Sequence, residues 1–373
     1  MSSDSLFRPI FVPDELREAL SARAWLQAML DAERALAAAM GVDGVAAACD
    51  ASLYDPAAIA EEARGPGNPV EPLVRALRER SGAAEAHRGA TSQDILDTAA
   101  VLVARRARGL VLRELDAAAS ACARLAEEHR ATVMPARTLL QQAVPTTFGL
   151  KAAGWLVALL DARRRLVAWT PVAQLGGAAG TLALLGERGP AALAAYAREL
   201  GLAEPELPWH ATRTPLRELV AACEAVAGAC AKVALDLVLL AQTEVGEVRV
   251  PDGASSTMPH KRNPVAPVLA RACALRVRAL AGTFTGEHEH ERAAGAWHAE
   301  WEALADVLAL TGGAAFHVRR ALEGLEVERE RMRGNLRPEA LSEAGRDVAP
   351  EEYLGSASVF VDRALARFRA DLG

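Results

Sequence analysis

The sequence predicts an all-α protein, and three observations carry that expectation. Of its 373 residues 51% are hydrophobic and only 4% aromatic; the apolar set is mostly Ala, Leu and Val, a mixture suited to close helix packing. Long stretches lack helix breakers: from Ser92 to about Arg130 there is no proline and one glycine, Gly109. The interruptions between such stretches are short, polar and marked by Gly or Pro. Helices of thirty or more residues, about 45 Å long, bury their apolar stripes only along a shared axis, so the middle of the chain should form an elongated antiparallel bundle.

Taken in order, residues 15–40 carry apolar positions at helical spacing and end at Gly41, a C-cap residue. Shorter helices are expected near 55–63 and 70–80, separated by GPGNP at 65–69. Thr91 with Asp94 three positions on has the capping-box pattern and opens the helix from Ser92 to about 130. Further helices are expected from about Pro145 to Ala168, Pro215 to Val248, Pro264 towards Phe284, and Trp297 to Arg333. This divides the chain into an N-terminal helical domain (1–107), a central long-helix bundle (108–325) and a shortened C-terminal helical segment (326–373). The unusual residues gather in the interruptions: HRGATSQD at 87–94, MPARTLLQQAVPTTFG at 134–149, QLGGAAGT at 174–181, PWHATR at 208–213 and GASSTMPHKRNP at 253–264.

Composition excludes several classes. The formal charge is −6, which argues against a polyanion-binding protein; the arginine clusters at 104–108 and 163–165 read as solvated helix faces, and no nucleic acid is expected. The five cysteines are odd in number, widely spread and without a CxxC pair, as buried reduced thiols of a cytoplasmic protein would be. The N-terminus lacks a basic region followed by an apolar run. The most apolar long window, AVAGACAKVALDLVLLAQ, contains Lys232 and Asp236 and reads as a buried helix, so no membrane span is expected. EHEHE at 287–291 reads as a solvated helix end, since alternating side chains on a helix diverge, and no metal site is expected. QLGGAAG lacks the strand and spacing of a dinucleotide loop, and no cofactor is expected.

The chemistry concentrates in GASSTMPHKRNP. Only three of the 42 basic residues are lysines, Lys151, Lys232 and Lys261, so a lysine in this loop suggests a use for a compact ammonium group. Ser255 and Ser256 offer a nucleophile or base, Lys261 a cation and Asn263 an amide donor, a set suited to an oxyanion developing on a carboxylate or enolate. A plain polar turn between helices fits the same composition. His210 and Arg213 are further site candidates, because PWHATR interrupts the bundle and begins a new helix. His129, His298 and His317 read as ordinary surface or core residues.

GASSTMPHKRNP closely resembles the signature loop of the fumarase/aspartase superfamily, HRGATSQDILDTA resembles that family's first signature region, and ARTLLQQAVPTTFG its second. The resemblance implies a homotetramer whose active sites are each assembled from three subunits, with a small polycarboxylate as substrate. By position, it implies that Ser255 is the catalytic base and that Lys261 and Asn263 stabilise a substrate carboxylate taking on enolate character. It places Thr91, Ser92 and Gln93 on the carboxylate-binding signature, His87 on a histidine of the adenylosuccinate branch, and Thr138 and Gln141 in the second region. Arg292 is a further substrate-binding candidate.

Within the superfamily the chain is most similar to the bacterial 3-carboxy-cis,cis-muconate cycloisomerases, through GNPVEPLVRAL, QLGGAAGTLALLG, PWHATR, HERAAGAWHAEW and YLGSASVFVDRAL. Many lyases of the family read Arg-Thr-His where this chain reads Arg137-Thr138-Leu139. Leucine transfers no proton. An amine leaving group, with a conjugate-acid pKa of about 10, needs protonation as it departs, whereas a carboxylate, at about 4, does not. The branch therefore implies a cofactor-free cycloisomerase adding an internal carboxylate across a double bond. A lyase releasing nitrite from a nitrosuccinate-like acid, or fumarate from another succinyl compound, and a non-catalytic structural homologue are the alternatives. Only 16 residues separate MRGNL from YLGSA, where the family carries most of a C-terminal domain.

Overall fold

The computed structural model describes residues 6–251, 258 and 261–373. The chain begins with α1 (Arg8–Phe11), α2 (Asp14–Ala19) and α3 (Ala22–Met40). The single helix expected over 15–40 divides at Leu20 and Ser21, because the Ser21 hydroxyl accepts a hydrogen bond from the Ala24 N–H at 3.2 Å and gives α3 its own N-cap. Gly41 closes α3 in the left-handed conformation at φ 68°, as expected. After α4 (Pro56–Glu62) and α5 (Val70–Ser81) comes α6, 37 residues from Ser92 to Glu128. It runs without a break through residue 107, where the sequence reading ends the first domain. Asp94 accepts a hydrogen bond from the Thr91 N–H at 2.9 Å, the contact that the capping-box pattern predicts.

At its far end α6 meets a feature that the all-helical expectation lacked. Strands β1 (Val133–Thr138) and β2 (Gln141–Thr147) form an antiparallel hairpin with Leu139 and Leu140 at its tip. The next helix, α7 (Phe148–Ala168), therefore begins at Phe148 and not at Pro145, which pairs within the hairpin. Next come α8 (Gly189–Leu200), which the sequence reading did not foresee, and α9 (Thr214–Leu240). Helix α9 stops short of Val248 because the chain turns at Gln242–Gly246 and enters β3 (Val248–Arg249). Helix α10 (Val265–Ala281) and α11 (Ala296–Glu323) follow; β4 (Glu326–Val327) then pairs with β3, so the helix expected over 297–333 ends ten residues early. The chain finishes with α12 (Arg329–Asn335), two short 3-10 turns and α13 (Ala357–Leu372).

The core is the packing of α6, α7, α9, α10 and α11 on one another, with α3 against α6 and α13 against α6 and α7. All five cysteines are free and buried in it. Small residues set the closest approaches. A Cβ at Gly149 would lie 2.6 Å from Arg130 Cα and 2.7 Å from the carbonyl oxygens of Ala126 and His129, all backbone atoms that cannot step aside. We expect Gly149→Ala to cost about 1–3 kcal/mol of stability, as overpacking does. Gly109→Ala, in the middle of α6 with nothing within 4 Å of the new methyl, should instead gain about 0.5–1 kcal/mol. Chemical denaturation of the two variants checks both signs.

His317 on α11 ties the N-terminal segment down, its Nε2 donating to the Ile10 carbonyl at 3.1 Å. Burial pulls its pKa down to about 4. The folded state thus favours the neutral ring, so this contribution to stability is complete above the unfolded value of about 6.5 and fades as pH falls towards 4. Between pH 7 and pH 5 we expect a loss of about 2 kcal/mol from this group. His317→Gln, which keeps a donor for Ile10, should show a visibly flatter dependence in pH-resolved unfolding curves.

Candidate functional site

Most candidate side chains converge at the N-terminal end of α6. Gln93, Asp94 and Asp97 occupy its first two turns, on the face turned into the protein. Asp94 is wholly buried and collects four donors: the N–H groups of Thr91 (2.9 Å), Gly176 (2.8 Å) and Gly177 (2.9 Å), and His210 Nε2 at 2.6 Å. Since an ionised carboxylate only accepts, His210 donates through Nε2. The QLGGAAGT segment is thereby a backbone cradle for a buried carboxylate.

Arg213 lies one step deeper. Its Nη1 and Nη2 grip Asp97 at 2.6 and 2.9 Å, its Nε and Nη2 grip Glu300 at 3.0 and 2.6 Å, and its plane sits 4.9 Å from the Trp209 ring centroid. Burial opposes the charge on Arg213, but the two carboxylates outweigh it and hold the guanidinium pKa above its ordinary value. Trp297 Nε1 donates to Asp97 at 3.0 Å, and His288 Nε2 lies 3.2 Å from Glu300. With a side chain only 1% exposed, His288 corrects the reading of EHEHE as a solvated helix end. The segment is irregular, and it tucks one histidine under the start of α11. Among the described residues no group of three or more His, Cys, Asp or Glu is placed to hold a metal ion.

Gln93 joins this interior to the surface. Its Nε2 donates to Asp97 and to the His210 carbonyl, and its Oε1 accepts from Arg292 Nη1 at 3.2 Å. Arg292 also binds the carbonyls of Gly177 and Ala178. His87 and Ser92 line a neighbouring cleft of about 450 Å³ on the same end of the bundle. The structure thus brings together His87, Thr91, Ser92, Gln93, His210, Arg213 and Arg292. Arg213 spends its donors on two buried carboxylates, so its reach to a small molecule here is indirect, through Asp97 and Gln93.

The other candidates lie elsewhere. Thr138 and Gln141 face each other across the hairpin, flanking a tip at which Leu139 and Leu140 adopt φ 51° and 64°, left-handed values that turns of this kind normally give to Asn or Gly. Leu139 is 97% exposed. Behind the tip, Arg137 makes a two-pronged ion pair with the buried Glu247 at 2.9 and 2.6 Å, and Asn335 donates to the same carboxylate at 2.8 Å. Beside it opens a cleft of about 860 Å³ whose lining includes Gln141, Gln142, Asn335 and Arg337. Lys261 is exposed and Asn263 half-buried just ahead of α10; Ser255, with Ser256, lies outside the described residues.

Thr91 and Ser92 open α6, and the hairpin follows its end. With 37 residues between, the two regions stand about 55 Å apart along the helix. Sequence reasoning missed Glu33, Asp94, Asp97, Glu247 and Glu300 as parts of these clusters. One signal was available, a carboxylate in phase with an apolar helical stripe, as Glu33 is with Leu26, Leu30 and Leu36.

Long helices packed on one another, with polar clusters at the two ends of α6, define the architecture of this chain. The chain matches the Lyase family over residues 10–279 and belongs to it. It is 47% identical over 363 residues to the nitrosuccinate lyase of Streptomyces davaonensis, a match covering 89% of this chain and 76% of the relative. It is 46% identical over 358 residues to the 3-carboxy-cis,cis-muconate cycloisomerase of Pseudomonas aeruginosa, covering 90% and 78%. The crystal structure of the 3-carboxy-cis,cis-muconate lactonizing enzyme from Pseudomonas putida superposes with a TM-score of 0.92 at 36% identity, covering 99% of this chain and 100% of that one.

Proposed function

We propose that the chain is a cycloisomerase that interconverts 3-carboxy-cis,cis-muconate and a carboxymuconolactone without a cofactor. The observation that carries this reading is the residue at the hairpin tip. Leu139 presents only hydrocarbon where an acid would stand, which suits a carboxylate that attacks or departs unprotonated. In the forward direction one substrate carboxylate oxygen forms a C–O bond to the conjugated diene. The electron pair moves onto the carbon beside a second carboxyl group, and that enolate-like centre takes up one proton. Thr91 and Ser92 hold carboxylates, with His87, Gln93, Thr138, Gln141, His210, Arg213 and Arg292 shaping or supporting the site. Lys261 and Asn263 stabilise the enolate, and Ser255 delivers the carbon-bound proton or, in reverse, removes it.

The separation of about 55 Å along α6 supports a site completed by other copies of the chain, in a homotetramer. Light scattering from purified protein tests that directly. No helix among the described residues is long and apolar enough to cross a membrane, which is consistent with work in the cytoplasm, in the breakdown of aromatic acids through protocatechuate. The 47% identity to a nitrosuccinate lyase favours one second reading, an elimination in which weakly basic nitrite leaves, for which Leu139 is equally suitable.

The deciding experiment follows the ultraviolet absorbance of the conjugated diene with 3-carboxy-cis,cis-muconate, and in parallel nitrite release from nitrosuccinate, with Ser255→Ala as control. Serine-dependent loss of the diene with lactone formation supports the cycloisomerase. Nitrite release without lactonisation moves the assignment to the second reading. Turnover of neither by folded, assembled protein would sink both.

A further inference from the structure

We propose that Glu33 is a positioning residue for His87, and that the two form a carboxylate–imidazole dyad whose outer nitrogen serves the cleft beside Ser92. The catalytic part of this inference rests on the function proposed above; the dyad itself does not.

Glu33 lies on the buried face of α3, in phase with Leu26, Leu30 and Leu36. Its Oε1 is 2.6 Å from His87 Nδ1, while its Oε2 has no hydrogen-bond partner among the described residues. A buried carboxylate with half its capacity unused is costly, and an apolar residue would fill the stripe without that cost. The polar contact that this group does make is the one to the histidine.

His87 is constrained from two further directions. Its φ of 66° is left-handed, unusual for a residue with a Cβ and a conformation that persists only where the surroundings impose it. The carbonyl just before it, that of Ala86, is clamped by Arg78 Nε at 3.1 Å and Nη2 at 2.8 Å. Glu33 fixes the ring, Arg78 fixes the backbone, and Nε2 remains as the ring atom not yet committed.

The cleft that His87 lines is shared with Ser92 and with Glu71, Arg75, Arg78 and Glu79 from α5. A carboxylate that accepts from Nδ1–H selects the tautomer and heading of an imidazole, so Nε2 is left with its lone pair, an acceptor for a proton carried by a group held near Ser92. The Glu33 carboxylate does not touch substrate; it acts through the ring.

The test uses the full chain with 15N-labelled histidine. In the unaltered protein, the His87 resonances should report a protonated Nδ1 with a downfield ring proton, and Glu33→Gln should move that proton upfield. A His87 ring with a bare Nδ1 in the unaltered protein would overturn the dyad, whatever the protein catalyses and whether or not any variant folds. Kinetics on the substrate that is turned over then test the positioning role. Glu33→Gln and His87→Ala should each lower kcat/KM by about 10- to 100-fold, the value of a hydrogen bond to a charged group. The double variant should be no worse than His87→Ala alone. Losses that multiply would mean that Glu33 acts independently of His87, and the positioning role would fail while the function proposed above stood.

Discussion

Arg213→Leu is expected to lower the free energy of unfolding by about 3–5 kcal/mol, the cost of breaking a buried ion pair from one side. The guanidinium is the shared partner of Asp97 and Glu300, both buried. Its removal leaves two carboxylates facing each other, with Gln93, Trp297 and His288 as their remaining partners. Arg213→Lys should recover little, because one ammonium cannot span two carboxylates with a four-bond fork. By contrast, deleting the exposed Arg64, paired with Glu61 at 3.0 Å, should change stability by less than about 1 kcal/mol. Urea midpoints of the three variants make the comparison. A loss below 1 kcal/mol for Arg213→Leu would mean that water enters this end of the bundle freely.

Ser255→Ala is expected to lower kcat by about 10²- to 10⁴-fold, the usual contribution of a positioned acid or base, with an unchanged circular dichroism spectrum. The reacting proton sits on carbon and is a reluctant acid. A serine hydroxyl is a poor base in water and needs a desolvated, cation-rich setting to act. In the proposed mechanism Lys261, six positions on, supplies the cation and Asn263 the amide. Lys261→Met should therefore also depress kcat, and a Ser255→Ala enzyme within tenfold of the parent would transfer the base assignment to another residue.

The long helices were legible because nothing in their sequences stops them: α6 is free of proline from its cap onward, and Thr91 with Asp94 announces that cap. The hairpin was not. Its tip carries Leu139 and Leu140 where a two-residue turn normally shows Asn and Gly, and Pro145 in β2 reads as the start of a helix. The early end of α9 was hidden for a related reason: the apolar spacing continues through Val248, and only the turn at Gln242 and the pairing of β3 with β4 divert it.

The candidate site was legible in one part only. Most of its residues stood out by resemblance, His210 and Arg213 by their place at a break in the bundle, and at the N-terminal end of α6 the structure gathers seven of these candidates. The buried carboxylates did not stand out at either end of α6, since Asp97, Glu247 and Glu300 pair with partners 116, 110 and 87 positions away. No local pattern marks a charge whose partner is that distant. Glu33 is the exception, a carboxylate in an apolar stripe.

The unbroken run of α6 also constrains how such a chain can change over generations. A one-residue insertion anywhere between Ser92 and Glu128 would advance the far end by about 1.5 Å and swing it through about 100°. The hairpin and the charge cluster would then no longer face their present directions. Seven residues, close to two turns, would restore the heading to within about 20° but lengthen the rod by about 10 Å. The helix is therefore both ruler and compass: substitutions along it are negotiable, whereas its length is quantised.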